Sequence, residues 1–215
     1  MNLNISFLIL DIMKLKSPKS EVFDIIIAWL AISFCFAIAL GNFNIVSKLF
    51  SQTAIPFSFS VFFPIFGLSL VVTGTSFILH ELAHKYTAIH YGAQARFIMW
   101  PIPLVLAIVV AILFGFVFVA PGAVYIFGKR LSTKEEGLTS MAGPLLNIGM
   151  AFVFMLLGVF GVSLMVVSYG VFINLWIALF NLIPIGPLDG KKVIVWNPVV
   201  WIVMFLVPIL FLFVF

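Results

Sequence analysis

Apolar runs long enough to cross a bilayer recur along this chain, and they leave little room for any other kind of fold. A helix needs about 20 apolar residues to span the hydrocarbon. Runs of that order are read at Phe23–Leu40, Val61–Tyr86, Met141–Val162 and Ser168–Gly186, and WIVMFLVPILFLFVF (Trp201–Phe215) closes the chain. One more apolar run, Phe97–Gly122, is interrupted by Pro101 and Pro103. The pattern predicts an all-α polytopic membrane protein with about five transmembrane helices plus a re-entrant or broken apolar segment. Composition agrees: 64% of the 215 residues are hydrophobic, 8% are charged, and mean hydropathy is +1.31, where soluble domains are roughly a quarter charged. No repeat or low-complexity tract is visible, and the longest polar connection is Gly128–Gly137. A single integral membrane domain over residues 1–215 is expected, with its core at 61–192 and no soluble regulatory domain.

The net charge of +4 does not point to nucleic acid. Lys and Arg sit at the ends of apolar runs, where cytoplasmic loops collect them. Lys14, Lys16 and Lys19 precede the first span, which puts the N-terminus in the cytoplasm of a multi-pass protein, expected in the cell membrane. The remaining basic groups are Lys85 with Arg96, then Lys129, Arg130 and Lys134, then Lys191 with Lys192. These share one side if Phe97–Val119 enters the membrane and returns, bent near Pro101 and Pro103; only Lys48 then lies opposite. Residues 1–21 hold a short apolar run that contains Asp11 and precedes its lysines. That is the wrong order for a signal peptide and reads as interfacial. Cys35 is alone, so no internal disulfide can form.

One apolar run carries ionisable groups. TSFILHELAHKYTAIHYG (Thr75–Gly92) contains His80, Glu81 and His84 as H-E-x-x-H. Helix positions i and i+4 face the same way, so the two imidazoles can share one metal ion with Glu81 beside it. Zinc takes such ligands plus one more, and a catalytic site keeps a position for water. The ion acidifies that water and polarises a carbonyl. Glu81 is the candidate base, taking the water proton and passing it to the leaving amine. A plain alternative pairs Glu81 with Lys85 at i+4. That accounts for the charge but not for two histidines near lipid, where ionisable groups are costly. Thr73, Ser76, His80, His84, Thr87 and Tyr91 fall on one helical stripe. The stripe either lines a wet cavity or, at Thr73 and Ser76, only bonds back to the helix's own carbonyls. His90 lies off the stripe and reads as interfacial, not as a ligand.

A third ligand must come from elsewhere. Asp11, Glu21 and Asp24 lie at or before the start of the first span, and Glu135 and Glu136 sit in the charged loop. Asp189, at the end of an apolar span, is the remaining oxygen donor, although an aspartate before glycine is also common turn chemistry. Asn174 and Asn181 are seven apart on one helix face. Asn181 is a candidate to donate to an oxyanion or to a substrate backbone, with an interhelical hydrogen bond as the plain alternative.

HELAH on one span, AGPLLN (Ala142–Asn147) opening another and NLIPIGPLDG (Asn181–Gly190) closing a third resemble, in order, the site-2 protease family of intramembrane metalloproteases. The resemblance covers about Gly74–Lys192. It implies one zinc ion held by His80, His84 and Asp189, with Glu81 as base, in a site below the membrane surface that water can reach. It implies transmembrane protein substrates, a lipid bilayer as surroundings, and regulated intramembrane proteolysis as the setting. APGAVYI (Ala120–Ile126) resembles the family's short glycine-containing β-edge near the active site. Such an edge could take an unwound substrate as an added strand, with Gly122 beside it. The chain departs from the family in carrying Lys191 after Gly190 where a second glycine is common, in its long insert at Phe97–Val119, and in having no PDZ or paired-CBS segment. The rival classes are a non-catalytic metal-binding membrane protein and an ion transporter. A transporter would more often show paired repeats. Oligomeric state has no signal in the sequence.

Overall fold

The computed structural model describes residues 18–50, 57–117 and 121–213. The interfacial segment expected before the first span, with Asp11, Lys14 and Lys16, lies outside them. Helix α1 (Pro18–Leu40) leads through a left-handed Asn42 to a short α2 (Ile45–Phe50). Helix α3 (Phe59–Thr73) continues through a π-helical turn (Gly74–Ile78) into α4 (Leu79–His90). Strand β1 (Gln94–Met99), helix α5 (Pro101–Phe114) and strand β2 (Gly122–Phe127) follow. Helices α6 (Thr133–Val159), α7 (Leu164–Asn181), α8 (Asp189–Trp196) and α9 (Pro198–Phe213) complete the chain.

Four stretches among the described residues are long and apolar enough to cross a membrane: Ser20–Phe50, Phe59–His90, Thr133–Val159 and Leu164–Asn181. The expected fifth, α9, is shorter at 16 residues. Polar side chains are buried and large apolar ones face outward. Ser33, Ser69, Thr73, Ser76, Asn147 and Asn174 are fully buried, while Phe23, Val71 and Ile102 point outward. In water that outer surface would be one large apolar patch.

The broken apolar run is an excursion that returns to its starting point. β1 and β2 pair antiparallel from Gln94↔Phe127 to Met99↔Gly122, and Trp100 N–H donates to Pro121 O at 2.7 Å. Entry and exit therefore lie side by side. The 14 residues of α5 rise only about 21 Å at 1.5 Å per residue, short of the ~30 Å hydrocarbon. The prolines do not make the bend, contrary to expectation. Pro101 and Pro103 sit in the first turn of α5, where proline's fixed φ suits a helix start and no intrahelical N–H is owed. The chain turns after α5, at Gly115, whose φ of +69° is open to glycine at no steric cost.

α1 covers the outer edge of β1. Glu21 accepts from Phe97 N–H at 3.1 Å, and Asp24 accepts from Met99 N–H at 3.3 Å. Glu21 also holds Lys85 of α4 at 2.8 Å. The i+4 pairing of Lys85 with Glu81 therefore does not form: the long lysine arm reaches across to α1. β2 has β1 as its one strand neighbour among the described residues. A buried cluster that includes Phe36, Phe77, Phe97, Ile173 and Ile177 fills the space between α1, the π turn, the sheet and α7.

Candidate metal centre

His80 and His84 lie one turn apart on α4, both buried, with Nε2 atoms 3.0 Å from each other. Asp189, first residue of α8, brings its Oδ2 to 3.4 Å from His80 Nε2 and 3.1 Å from His84 Nε2. These three side chains form a cluster with metal-ligand spacing, and Glu81 lies outside it. Residues 105 positions apart meet here because α6 packs against α4, α7 and α8.

The imidazoles are oriented by groups that can only accept. His84 Nδ1 lies 2.7 Å from Thr139 O. A carbonyl has no proton to give, so Nδ1 carries the hydrogen and, in the neutral ring that binds a metal, Nε2 keeps its lone pair. His80 Nδ1 lies 2.5 Å from Asn147 Oδ1. The orientation of that amide follows from its other contacts: Asn147 Nδ2 donates to Ser76 O at 3.0 Å and to Asn174 Oδ1 at 3.1 Å. Asn174 Nδ2 in turn donates to Gly170 O at 2.8 Å. His80 Nδ1 is therefore the donor, and its Nε2 also keeps a lone pair. Two imidazole acceptors and a carboxylate thus converge in a buried space. An acceptor-only cluster of this kind is costly unless a cation joins it. Two imidazoles and one carboxylate are a donor set that zinc takes, so the residues present fit the ion.

Gly143 makes room for the cluster. A Cβ there would sit 2.5 Å from His84 Nε2 and 2.7 Å from His80 Nε2, inside the space where the lone pairs meet. Glycine lets the α6 backbone close on the imidazoles, which also brings Thr139 O within reach of His84. Gly190 has a similar role on the other side: a Cβ would run into the Leu182 carbonyl. Glycine thus lets the turn after α7 fold tightly enough to present Asp189.

The cluster opens into a cavity of about 60 Å³, lined also by Glu81, Thr139, Ser140, Asn181 and Gly122. Asn181 and Gly122 both line the cavity. The Asn181 Nδ2 also bonds back to Ile177 O at 3.0 Å. Gly122 has a packing reason of its own, since a Cβ would meet the Phe97 ring and the Ile98 carbonyl. Asn174 supports Asn147 and does not line the cavity. The long polar stripe shortens to its middle. Thr73 donates to Ser69 O and Ser76 donates to Val72 O, so both bond back to their own helix, and neither they nor Thr87 and Tyr91 line the cavity. His90 is exposed and lies outside the cluster. Sequence alone does not give Thr139, and although AGPLLN marks Gly143 and Asn147, and Asn174 stands out beside Asn181, it does not assign their roles here. Glycine followed by proline, and asparagines inside apolar spans, were their signals.

No family model matches the chain, and no solved structure matches it. Two curated proteins do. One, from Methanocaldococcus jannaschii, is named a "putative zinc metalloprotease" and is 38% identical over 193 residues, covering 88% of this chain and 91% of the relative. The chain belongs to that zinc metalloprotease family. The second family member, from Bacillus subtilis and named in the same words, is 31% identical over 154 residues, covering 61% of this chain and 68% of the relative. Family membership agrees with the site-2 protease resemblance carried by HELAH, AGPLLN and NLIPIGPLDG.

Proposed function

We propose that the protein is a zinc-dependent intramembrane endopeptidase that hydrolyses peptide bonds of transmembrane proteins. The observation that carries the reading is the meeting of His80, His84 and Asp189, with both imidazoles and the acceptors that orient them on stretches of membrane-spanning length. Each chain holds one ion through these three side chains. Bound zinc supplies Lewis acidity toward a peptide carbonyl and toward water. Glu81, buried at the cavity and outside the ligand cluster, takes the proton from water on its carboxylate and hands it to the departing amine. Asn181, on the cavity wall, donates to the substrate backbone or to the charge that develops on its carbonyl oxygen.

Helical peptide bonds are shielded by their own hydrogen bonds, so the substrate is cut in an extended form. The β2 edge suits this. Glu21 and Asp24 occupy the outer amides of β1, whereas Gly122, Ala123, Val124 and Ile126 of β2 line the metal cavity. An unwound substrate segment adds as a third strand there. Residues 1–215 act as one domain with its core at 61–192. It sits in the cell membrane with its N-terminus in the cytoplasm, surrounded by lipid and without a nucleic-acid partner.

The test is cleavage of a single-span substrate by purified protein in vesicles, with and without chelator. Chelator-sensitive peptide-bond hydrolysis is expected. Stoichiometric zinc without hydrolysis of any single-span substrate would favour a non-catalytic metal-binding protein. Impermeant thiol labelling of Gln94→Cys and Lys134→Cys in a Cys35→Ser background checks the topology. Both positions are exposed, and labelling from opposite faces would refute the re-entrant path.

A further inference from the structure

Beside the metal cavity lies a second, larger one of about 460 Å³. The two share Trp100, Ala123, Val124, Ile126, Pro187 and Lys192 as wall, so the second is the outward continuation of the first along β2. Its far wall carries Lys129, Arg130 and Glu136, and Lys192 stands on the shared wall. Lys129 is committed, to Glu135 at 3.0 Å and to Tyr91 O at 2.7 Å. Arg130 and Lys192 are exposed and make no ion pair among the described residues. They come from different parts of the chain, the β2–α6 connection and α8, and meet at one opening.

We propose that this vestibule selects substrates by charge: it receives an acidic stretch flanking the transmembrane segment that is cut. The proposal rests on the endopeptidase reading and names its substrate class. Single-span proteins ordinarily carry Lys and Arg on their cytoplasmic flank, the side on which the charge pattern puts Arg130 and Lys192. A cationic vestibule repels such a flank and admits an Asp- or Glu-rich one, since like-charge juxtaposition is what excludes wrong partners. The strand site on β2 reads backbone and so discriminates little. The vestibule, continuous with it, adds the discrimination.

The test is a binding measurement, so it does not depend on turnover. The full chain carrying Glu81→Gln is held in neutral detergent. It is titrated with fluorescent single-span peptides of one fixed apolar sequence whose flank is Asp/Glu-rich, neutral or Lys/Arg-rich. The acidic flank is expected to bind about tenfold tighter than the basic one at low salt, because two exposed cations attract the one and repel the other, and the difference should shrink as salt is added. Arg130→Glu with Lys192→Glu should reverse the order, with zinc content checked in each variant. If that double variant loses zinc, Arg130→Gln with Lys192→Gln replaces it and should abolish the preference. Equal affinity for all three flanks overturns the proposal, as does a preference that neither double variant moves. Equal binding of the acidic flank without its apolar span also overturns it. So does loss of the preference when phosphatidylglycerol, but not phosphatidylcholine, is added, because the occupant is then a lipid headgroup. Chelator-sensitive cleavage, measured separately in unmutated protein, decides the endopeptidase reading on its own.

Discussion

Two regions of the molecule border the same two-stranded sheet and are built in opposite ways. Around His80 and His84 directional bonds fix the rings: Asn174 holds Asn147, Asn147 holds His80, and Thr139 O holds His84. Gly143 brings the backbone close enough for this to happen. The excursion through α5 carries no such relay. Ile102 is 83% exposed and Val105 60% exposed, while Leu104, Ala107 and Ala111 are buried on its other face, packed with α1 among their neighbours, and the ends are joined where Met99 pairs with Gly122. The first region must fix nitrogen lone pairs to within fractions of an ångström, which takes directional bonds. The second needs only apolar packing on one face and an apolar surface on the other, which takes no directional bonds. The comparison teaches that a reactive site in a membrane protein is best recognised by polar groups that constrain one another, not by polarity alone.

Substitutions at the centre of the first region should have the largest effects. Glu81→Gln is expected to keep zinc near one per chain and to lower turnover by about 10²-fold or more, as loss of a general base does. Elemental analysis beside a cleavage assay separates the two; loss of zinc in this variant would make Glu81 a ligand or a prop. Asp189→Ala should lose both zinc and cleavage, much as His84→Ala should. Stoichiometric zinc in an active Asp189→Ala protein would remove it from the ligand set.

Gly143→Ala comes next. Its methyl carbon would take the space between the imidazole nitrogens, so zinc should weaken by more than the ~10–100-fold typical of losing an outer partner. Neither imidazole can retreat without breaking its bond to Asn147 or Thr139. Normal zinc affinity in Gly143→Ala would mean that α6 can slide, and the close packing described for the site would be wrong. Asn147→Leu keeps the volume but leaves His80 Nδ1 unbonded. Zinc affinity should fall by about 10–100-fold, and competition with a chromogenic chelator would measure it. Asn174→Leu, one bond further out, should cost less than Asn147→Leu; the reverse order would break the relay.

How much of this was legible in the sequence follows the same division. His80 and His84 could be paired because helical period is a local property, and Asp189 because few acids were left to choose from. Asn147 as the partner of His80 could not be read, since the two are 67 positions apart and only the register of α6 against α4 joins them. Lys85 paired with Glu21 instead of Glu81 for the same reason: a long side chain found a partner on a neighbouring helix. The π turn at Gly74–Ile78 has no signature in residue type. The excursion was legible as an interruption but not in its shape. Prolines mark both a helix start and a bend, and here they mark the start. β1 was hidden because QARFIM merges into the apolar run that follows it.

The smallest effect is expected on the outer face of α5, and it tests the other half of the comparison. Ile102→Ala truncates a side chain that points away from the protein. In lipid the lost protein–lipid contact is replaced by lipid–lipid contact, because acyl chains are as apolar as the side chain they surround. Stability should therefore change by no more than about 0.5 kcal/mol, as for surface sites without special features, and zinc affinity should not change at all. Phe97→Ala is the control on the sheet itself. Its ring is 1% exposed and packs edge-on to Phe77 at 5.7 Å, so removing it should cost about 3–5 kcal/mol. Thermal unfolding in one detergent, with both variants side by side, reads the difference. If Ile102→Ala instead slows cleavage severalfold while unfolding normally, α5 touches the substrate on its way to β2. The excursion would then be a guide for the incoming helix and not a passive wall, and the contrast between the two regions would narrow to a division of labour within one site.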